Sequence, residues 1–131
     1  MESLYFDDTF LDELDKKAQA SPRLRMNYDL RNSAEDHSQR MFNSLQPGTE
    51  LPIHRHPNSS ETVIILRGVF DEIFYDEQRH EIARFRLDPK AGCYGLNIPA
   101  GQWHTIHVIE PSVLIEMKDG PYAPPAPTDI L

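Results

Sequence analysis

Gly48-Thr-Glu-Leu-Pro-Ile-His54-Arg-His56-Pro-Asn-Ser-Ser-Glu61-Thr-Val-Ile-Ile-Leu-Arg-Gly68 is the stretch whose reading decides the fold. Two histidines stand at i and i+2. On a strand, side chains alternate faces with period two, so Leu51 to His56 read as a strand sends both rings to one side. Arg55, between them, goes to the other side and is expected to be solvated or salt-bridged. A Pro-Asn-Ser-Ser turn follows. Glu61 then opens the apolar run Val63 to Leu66, which has the length and composition of a buried strand. A carboxylate at the head of that strand can reach a cation held by the two imidazoles.

Outward from this stretch, the chain alternates short apolar segments with turn residues. Residues 9 to 20 read as a helix with Thr9 as N-cap and Phe10, Leu11, Leu14 and Ala18 on one stripe. Ser21-Pro22 ends it. Residues 22 to 32 are extended, and Gln39 to Leu45 reads as a strand. Thr62 to Arg67 and Val69 to Tyr75 flank Gly68, where a bend or bulge is expected. His80 to Leu87, Tyr94 to Ile98, Trp103 to Ile109 and Val113 to Lys118 are further strands, with Glu110-Pro111-Ser112 as a tight turn between the last two. From Gly120 the chain is proline-rich and irregular, and is expected to wrap the surface. Many short strands, turn residues between them and one good helix indicate an antiparallel sandwich or barrel.

The totals set limits. At 131 residues the chain suffices for one domain with one core. Its net charge of −8 argues against nucleic acid or an anionic membrane surface as a partner. No apolar run approaches a membrane span. The acidic start, Met-Glu-Ser-Leu-Tyr-Phe-Asp-Asp, has no signal-peptide pattern, and a cytoplasmic location is expected. The single cysteine, Cys93, excludes an internal disulfide framework. It is expected to be a buried, inert thiol.

The spacing Gly48-x5-His54-x-His56-x4-Glu61-x6-Gly68 matches the first motif of the cupin superfamily. Gly92-Cys-Tyr-Gly-Leu-Asn-Ile-Pro99-Ala-Gly101-Gln-Trp-His104 resembles the second. Six residues separate Gly92 from Pro99 where that motif has five, and Val108 stands where it has Asn. Further segments resemble the WbuC family of cupin-fold metalloproteins. They include Ser21-Pro-Arg-Leu-Arg-Met-Asn-Tyr28, Gln39-Arg-Met-Phe-Asn43, Pro52-Ile-His-Arg-His-Pro57 and Glu116-Met-Lys-Asp-Gly-Pro-Tyr122. Arg31 is a departure, since the family commonly has histidine there. The resemblance implies an all-β, single-domain jelly-roll barrel over residues 22–131, with an N-terminal helical unit over residues 1–21 packed on it. It also implies that His104 joins His54, His56 and Glu61 as the last ligand of one divalent transition metal ion.

Imidazole and carboxylate suit Fe, Mn, Co, Ni, Cu or Zn, and no thiolate selects among them. Four protein ligands leave a coordination position open, as in a catalytic site. Without a cation, three imidazoles in an apolar interior would need other partners. Val63, Ile65, Phe85 and Ile106 are candidate walls of the adjoining pocket. Arg25, Tyr28, Arg40 and Lys118 are candidate substrate-binding residues, because they recur in the family-like segments or lie near the motifs. Gln39, Asn43 and Glu116 share that standing. Such residues more often serve as structural partners than as catalytic groups. His37 and His80 are read as surface residues, His107 by parity as facing away from the ligands, and Trp103 as packing. No catalytic residue is assigned.

The family resemblance points to surface-polysaccharide metabolism. Two functions follow: a metal-dependent enzyme on a small polar molecule such as a sugar or sugar acid, or a non-catalytic module that binds a metal and a small ligand. A general acid or base beside the open metal position separates them. A homodimer is expected by analogy with other cupins.

Overall fold

The computed structural model describes residues 3–131. Met1 and Glu2, which the sequence reading includes in the N-terminal unit, lie outside the described residues. One helix, α1 (Asp8–Ala20), precedes six strands: β1 (Arg25–Asp29), β2 (Ser38–Leu45), β3 (Glu61–Tyr75), β4 (Glu81–Leu87), β5 (Gly95–Ile98) and β6 (Trp103–Asp119). The pairing order is β1-β2-β6-β3-β4, with β5 on β3, and every pairing is antiparallel. The fold is a single-domain cupin β-barrel with an N-terminal helix.

Asp7, not Thr9, caps α1. Its extended backbone lets the carboxylate accept from Phe10 N at 3.0 Å, so the helix starts before the expected cap. The apolar stripe behaves as read: Leu11, Leu14 and Ala18 are buried. Leu11 and Leu14 form a small core with Phe42 and Val113 outside the barrel interior. Arg67 of β3 ties the helix down through Asp12 at 2.7 Å, Asp8 at 3.1 Å and Asp15 at 3.2 Å.

Strands β3 and β6 are the frame. Each runs through a break that the sequence reading divides in two. Glu110-Pro111-Ser112 does not reverse the chain; it lies inside β6. The residues before and after it pair with β3 in the same sense, with register shifts between Ile65 and Phe70. Proline cannot donate to a ladder, so it marks a bulge here as readily as a turn. Gly68 sits opposite with φ +93, and a Cβ there would collide with Pro111 O and Ser112.

The bulge inverts the parity of β3. Glu61, Val63 and Ile65 are buried before it, while Ile64 and Leu66 are exposed. Beyond it, Phe70 belongs to the same core as Val63 and Ile65. Even-numbered residues of β3 therefore face the interior past the bulge, and Glu72 is among them. The core gathers Leu45, Val63, Ile65, Phe70, Leu87, Ile98, Val108 and Leu114.

Two further expectations change. Leu51 to His56 is not a strand; only His54 pairs, in isolated bridges with His104 and Ile130. The tail does not simply wrap the surface. Leu131 N donates to Ile53 O at 2.9 Å and Arg55 N to Asp129 O at 3.0 Å, so the tail closes one side of the barrel mouth. Among the described residues, no helix is long and apolar enough to cross a membrane.

Candidate metal centre

His54 and His104 exchange backbone hydrogen bonds, His54 N to His104 O at 3.0 Å and His104 N to His54 O at 2.9 Å. That exchange sets the two rings side by side, with centroids 4.3 Å apart. Gly101 N donates to His56 O at 2.8 Å and draws the third histidine in. Its ring lies 5.1 Å from that of His54 and 5.5 Å from that of His104. Arg55 turns the other way, as its parity requires. Its Nε donates to Asp129 Oδ1 at 2.9 Å and its guanidinium covers the Trp103 ring at 4.5 Å. The alternation thus survives without a ladder because the tail and the Pro99–His104 turn clamp the segment on both sides.

The tautomers follow from hydrogen bonds. His54 Nδ1–H donates to Pro52 O and His104 Nδ1–H to Gln102 O, each at 2.9 Å. Both Nε2 atoms are left with free lone pairs, as metal-ligating histidines require. One nitrogen from each of His54, His56 and His104 lies within 4.8 Å of the others. His56 Nε2 is buried and has no hydrogen-bond partner. An orphaned imidazole nitrogen facing two others is what a cation would satisfy, so the donor set fits a divalent metal.

Glu61 heads β3 and is 4 % exposed. Its Oε2 is 3.2 Å from His104 Nε2 and 3.5 Å from His56 Nε2. Burial opposes its ionisation, but the hydrogen bond it accepts from Glu116 and the charge of Lys118 hold its carboxyl well below the usual range. Glu116 moves the opposite way: burial and its hydrogen bond to Glu61 push it well up, so it carries the shared proton. Asn43 Nδ2 donates to Glu116 Oε1 at 2.9 Å. Lys118 Nζ stands 3.8 Å from Glu61 Oε1 and 3.9 Å from Glu116 Oε2. Burial lowers His54 to about 4, with help from the neighbouring His104.

A cavity of about 810 Å³ opens from this centre. Arg25 and Lys118 line it, with Arg25 Nη1 donating to Glu50 O at 3.1 Å. Gln39 and Asn43 also face it. Tyr28 and Arg40 do not. Tyr28 meets the Phe10 ring edge-on at 5.3 Å, and Arg40 donates to Leu30 O at 2.8 Å. Val63 and Ile106 are walls as expected. Ile65 is packed in the core instead, and Phe85 is 41 % exposed against Phe74. Cys93 is exposed, contrary to the buried thiol expected of it, since it lies in the short loop after the 3-10 turn Pro89–Ala91. His37, His80 and His107 are exposed and Trp103 is buried, as read.

Glu72 escapes the sequence reading. It is 1 % exposed, lines the cavity and has an unpartnered Oε2. Burial, then the charge of Glu61, pushes its carboxyl well above the usual range. An acid inside the apolar run Val69 to Tyr75 is a signal, but strict alternation from Glu61 sends it outward. Only the bulge brings it in.

No curated protein matches this sequence. Solved structures resemble it at the level of the fold. The cupin 2 domain-containing protein from Halorhodospira halophila superposes with a TM-score of 0.61 at 17% identity, over 78% of this chain and 68% of that one. The capsular polysaccharide assembling protein CapF from Staphylococcus aureus gives 0.67 at 19% identity, over 85% of this chain; that share is 32% of CapF, so this chain spans about a third of it. Oxalate oxidase in complex with the substrate analogue glycolate gives 0.63 at 16% identity, over 79% of this chain and 55% of that one. The family model described as Domain of unknown function (DUF6016) matches residues 6–87. That match takes in α1, the paired histidines, Glu61 and the bulged strand, more than half of the sequence, and the chain belongs to the DUF6016 family, with a cupin fold.

Proposed function

We propose that this protein is a WbuC-like, metal-dependent enzyme acting on a small polar substrate, a sugar or sugar acid, in surface-polysaccharide metabolism. One divalent transition metal ion is held by His54, His56, Glu61 and His104. The observation that carries the reading is the orphaned His56 Nε2 facing the two tautomer-fixed histidines at the end of a large open cavity. A structural site would be closed by its own protein ligands, whereas this one adjoins space for a ligand. The bound metal supplies Lewis acidity toward a substrate oxygen.

The chain's own residues supply the rest. Glu61 offsets the cation's charge, and Glu116, held by Asn43, hydrogen-bonds Glu61 and orients it. Arg25 and Lys118 offer positive charge to an anionic substrate group. The tail from Gly120 screens the mouth from water. CapF, a capsular polysaccharide assembling protein, and oxalate oxidase, in complex with glycolate, are structural neighbours that support this reading.

The test is a substrate screen on untagged, metal-replete protein. Sugar acids and sugars are followed for isomerisation by NMR and for oxygen uptake. Turnover that disappears on chelation and returns with one metal per chain is the expected result. Tight ligand binding without turnover would favour the non-catalytic binding module.

A further inference from the structure

We propose that Glu72 is the residue by which the cavity grips a hydroxyl of its ligand, so that a polyhydroxylated carboxylate spans from the histidine centre to Glu72. This rests on the metal-centre reading above and extends it to the far end of the ligand.

Glu61 accepts from Glu116 and has Lys118 Nζ at 3.8 Å, and Glu116 also takes Asn43. Asp71, as buried as Glu72 on the neighbouring face of β3, takes Arg84 at 3.1 Å and Arg86 at 2.9 Å. Glu72 has an oxygen with no partner, although it is 1 % exposed and lines a cavity. A buried carboxyl left unpaired is costly, and such groups persist where a ligand completes them.

Register places it usefully. Glu72 pairs with Ile106 and Phe74 with His104, so Glu72 and His104 are diagonal neighbours on one face. Diagonal neighbours in an antiparallel pair stand roughly 7–8 Å apart. A ligand of a few carbons bridges that gap.

Charge orients the ligand. Burial and the charge of Glu61 favour the protonated form of Glu72, which both donates and accepts. A hydroxyl has the complementary pattern. A carboxylate belongs at the other end, beside the cation, Lys118 and Arg25. The inward-facing groups near Glu72 are therefore Glu61 on its own strand, and His104, Glu116 and Lys118 on β6.

Isothermal calorimetry on untagged protein tests this, with D-gluconate and its deoxy counterpart hexanoate as probes. Metal content is measured on each sample. Wild type is expected to bind gluconate about 10-fold or more tightly than hexanoate. Glu72→Leu is expected to lose that preference, keep its metal, and melt no lower than wild type. Glu72→Gln, which keeps a donor and an acceptor, is expected to stay within about threefold of wild type. The proposal is overturned if wild type shows no preference, if Glu72→Leu keeps it, or if Glu72→Leu loses metal and so marks Glu72 as a ligand. Wild type without metal would instead overturn the metal-centre reading. The gluconate comparison then decides the role of Glu72 on the metal-free protein by the same outcomes.

Discussion

The carbonyls of Pro52 and Gln102 choose the tautomers of His54 and His104, and that choice leaves both Nε2 lone pairs free beside His56, whose own Nε2 is unpartnered. Glu61 stands beside them with its charge stabilised by Glu116 and Lys118. Glu61→Gln keeps the shape and removes the charge. It is expected to lower metal affinity by about 10-fold or more, measured by competition with a chelator. Unchanged affinity with lost activity would make Glu61 a base rather than a ligand. A pH effect follows from His54. Its ring ionises near 6.5 when unfolded but is lowered to about 4 in the fold by burial and His104. Between those values the unfolded chain binds more protons, so the metal-free protein loses stability as pH falls from 6.5 toward 4. Thermal melts of metal-free wild type and His54→Phe check it. The slope over that window should be shallower in the variant.

The bulge shared by β3 and β6 decides what faces the metal. Gly68 holds φ +93, and a side chain there meets Pro111 O and Ser112. Gly68→Ala is expected to destabilise the fold by about 3 kcal/mol, from left-handed strain plus the clash. Urea unfolding measures it, and a loss below about 0.5 kcal/mol would mean that the bulge relaxes at little cost. Capping of α1 is a smaller effect: Asp7→Ala should cost about 1 kcal/mol in the same assay. These elements also show what a sequence can reveal. Motif spacing made His54, His56 and His104 legible, and the arrangement of the rings agrees with it. A strand over Leu51 to His56 is not how the fold aligns the two rings; clamping by the tail and by the turn at residues 99–104 does so. Glu72 was hidden because period-two counting carries no information about where a bulge resets it.

Across the molecule, the barrel brings together groups far apart in sequence: the histidine loop, the two ends of β3, the two ends of β6 and the tail. Antiparallel pairing of two long strands makes this possible, since it sets Glu61 against Lys118 at one end and Phe74 against His104 at the other. The tail could not be placed from sequence, because its prolines report only that it is neither helix nor inner strand. Its contacts with Ile53 and Arg55 make it part of the site. The central claim is that this assembly exists to hold one cation. Elemental analysis of untagged wild type and of a His54→Ala/His56→Ala double variant, both checked for folding by circular dichroism, tests it most directly. The account predicts about one transition-metal ion per wild-type chain and almost none in the folded double variant. Equal metal content in the two would contradict it.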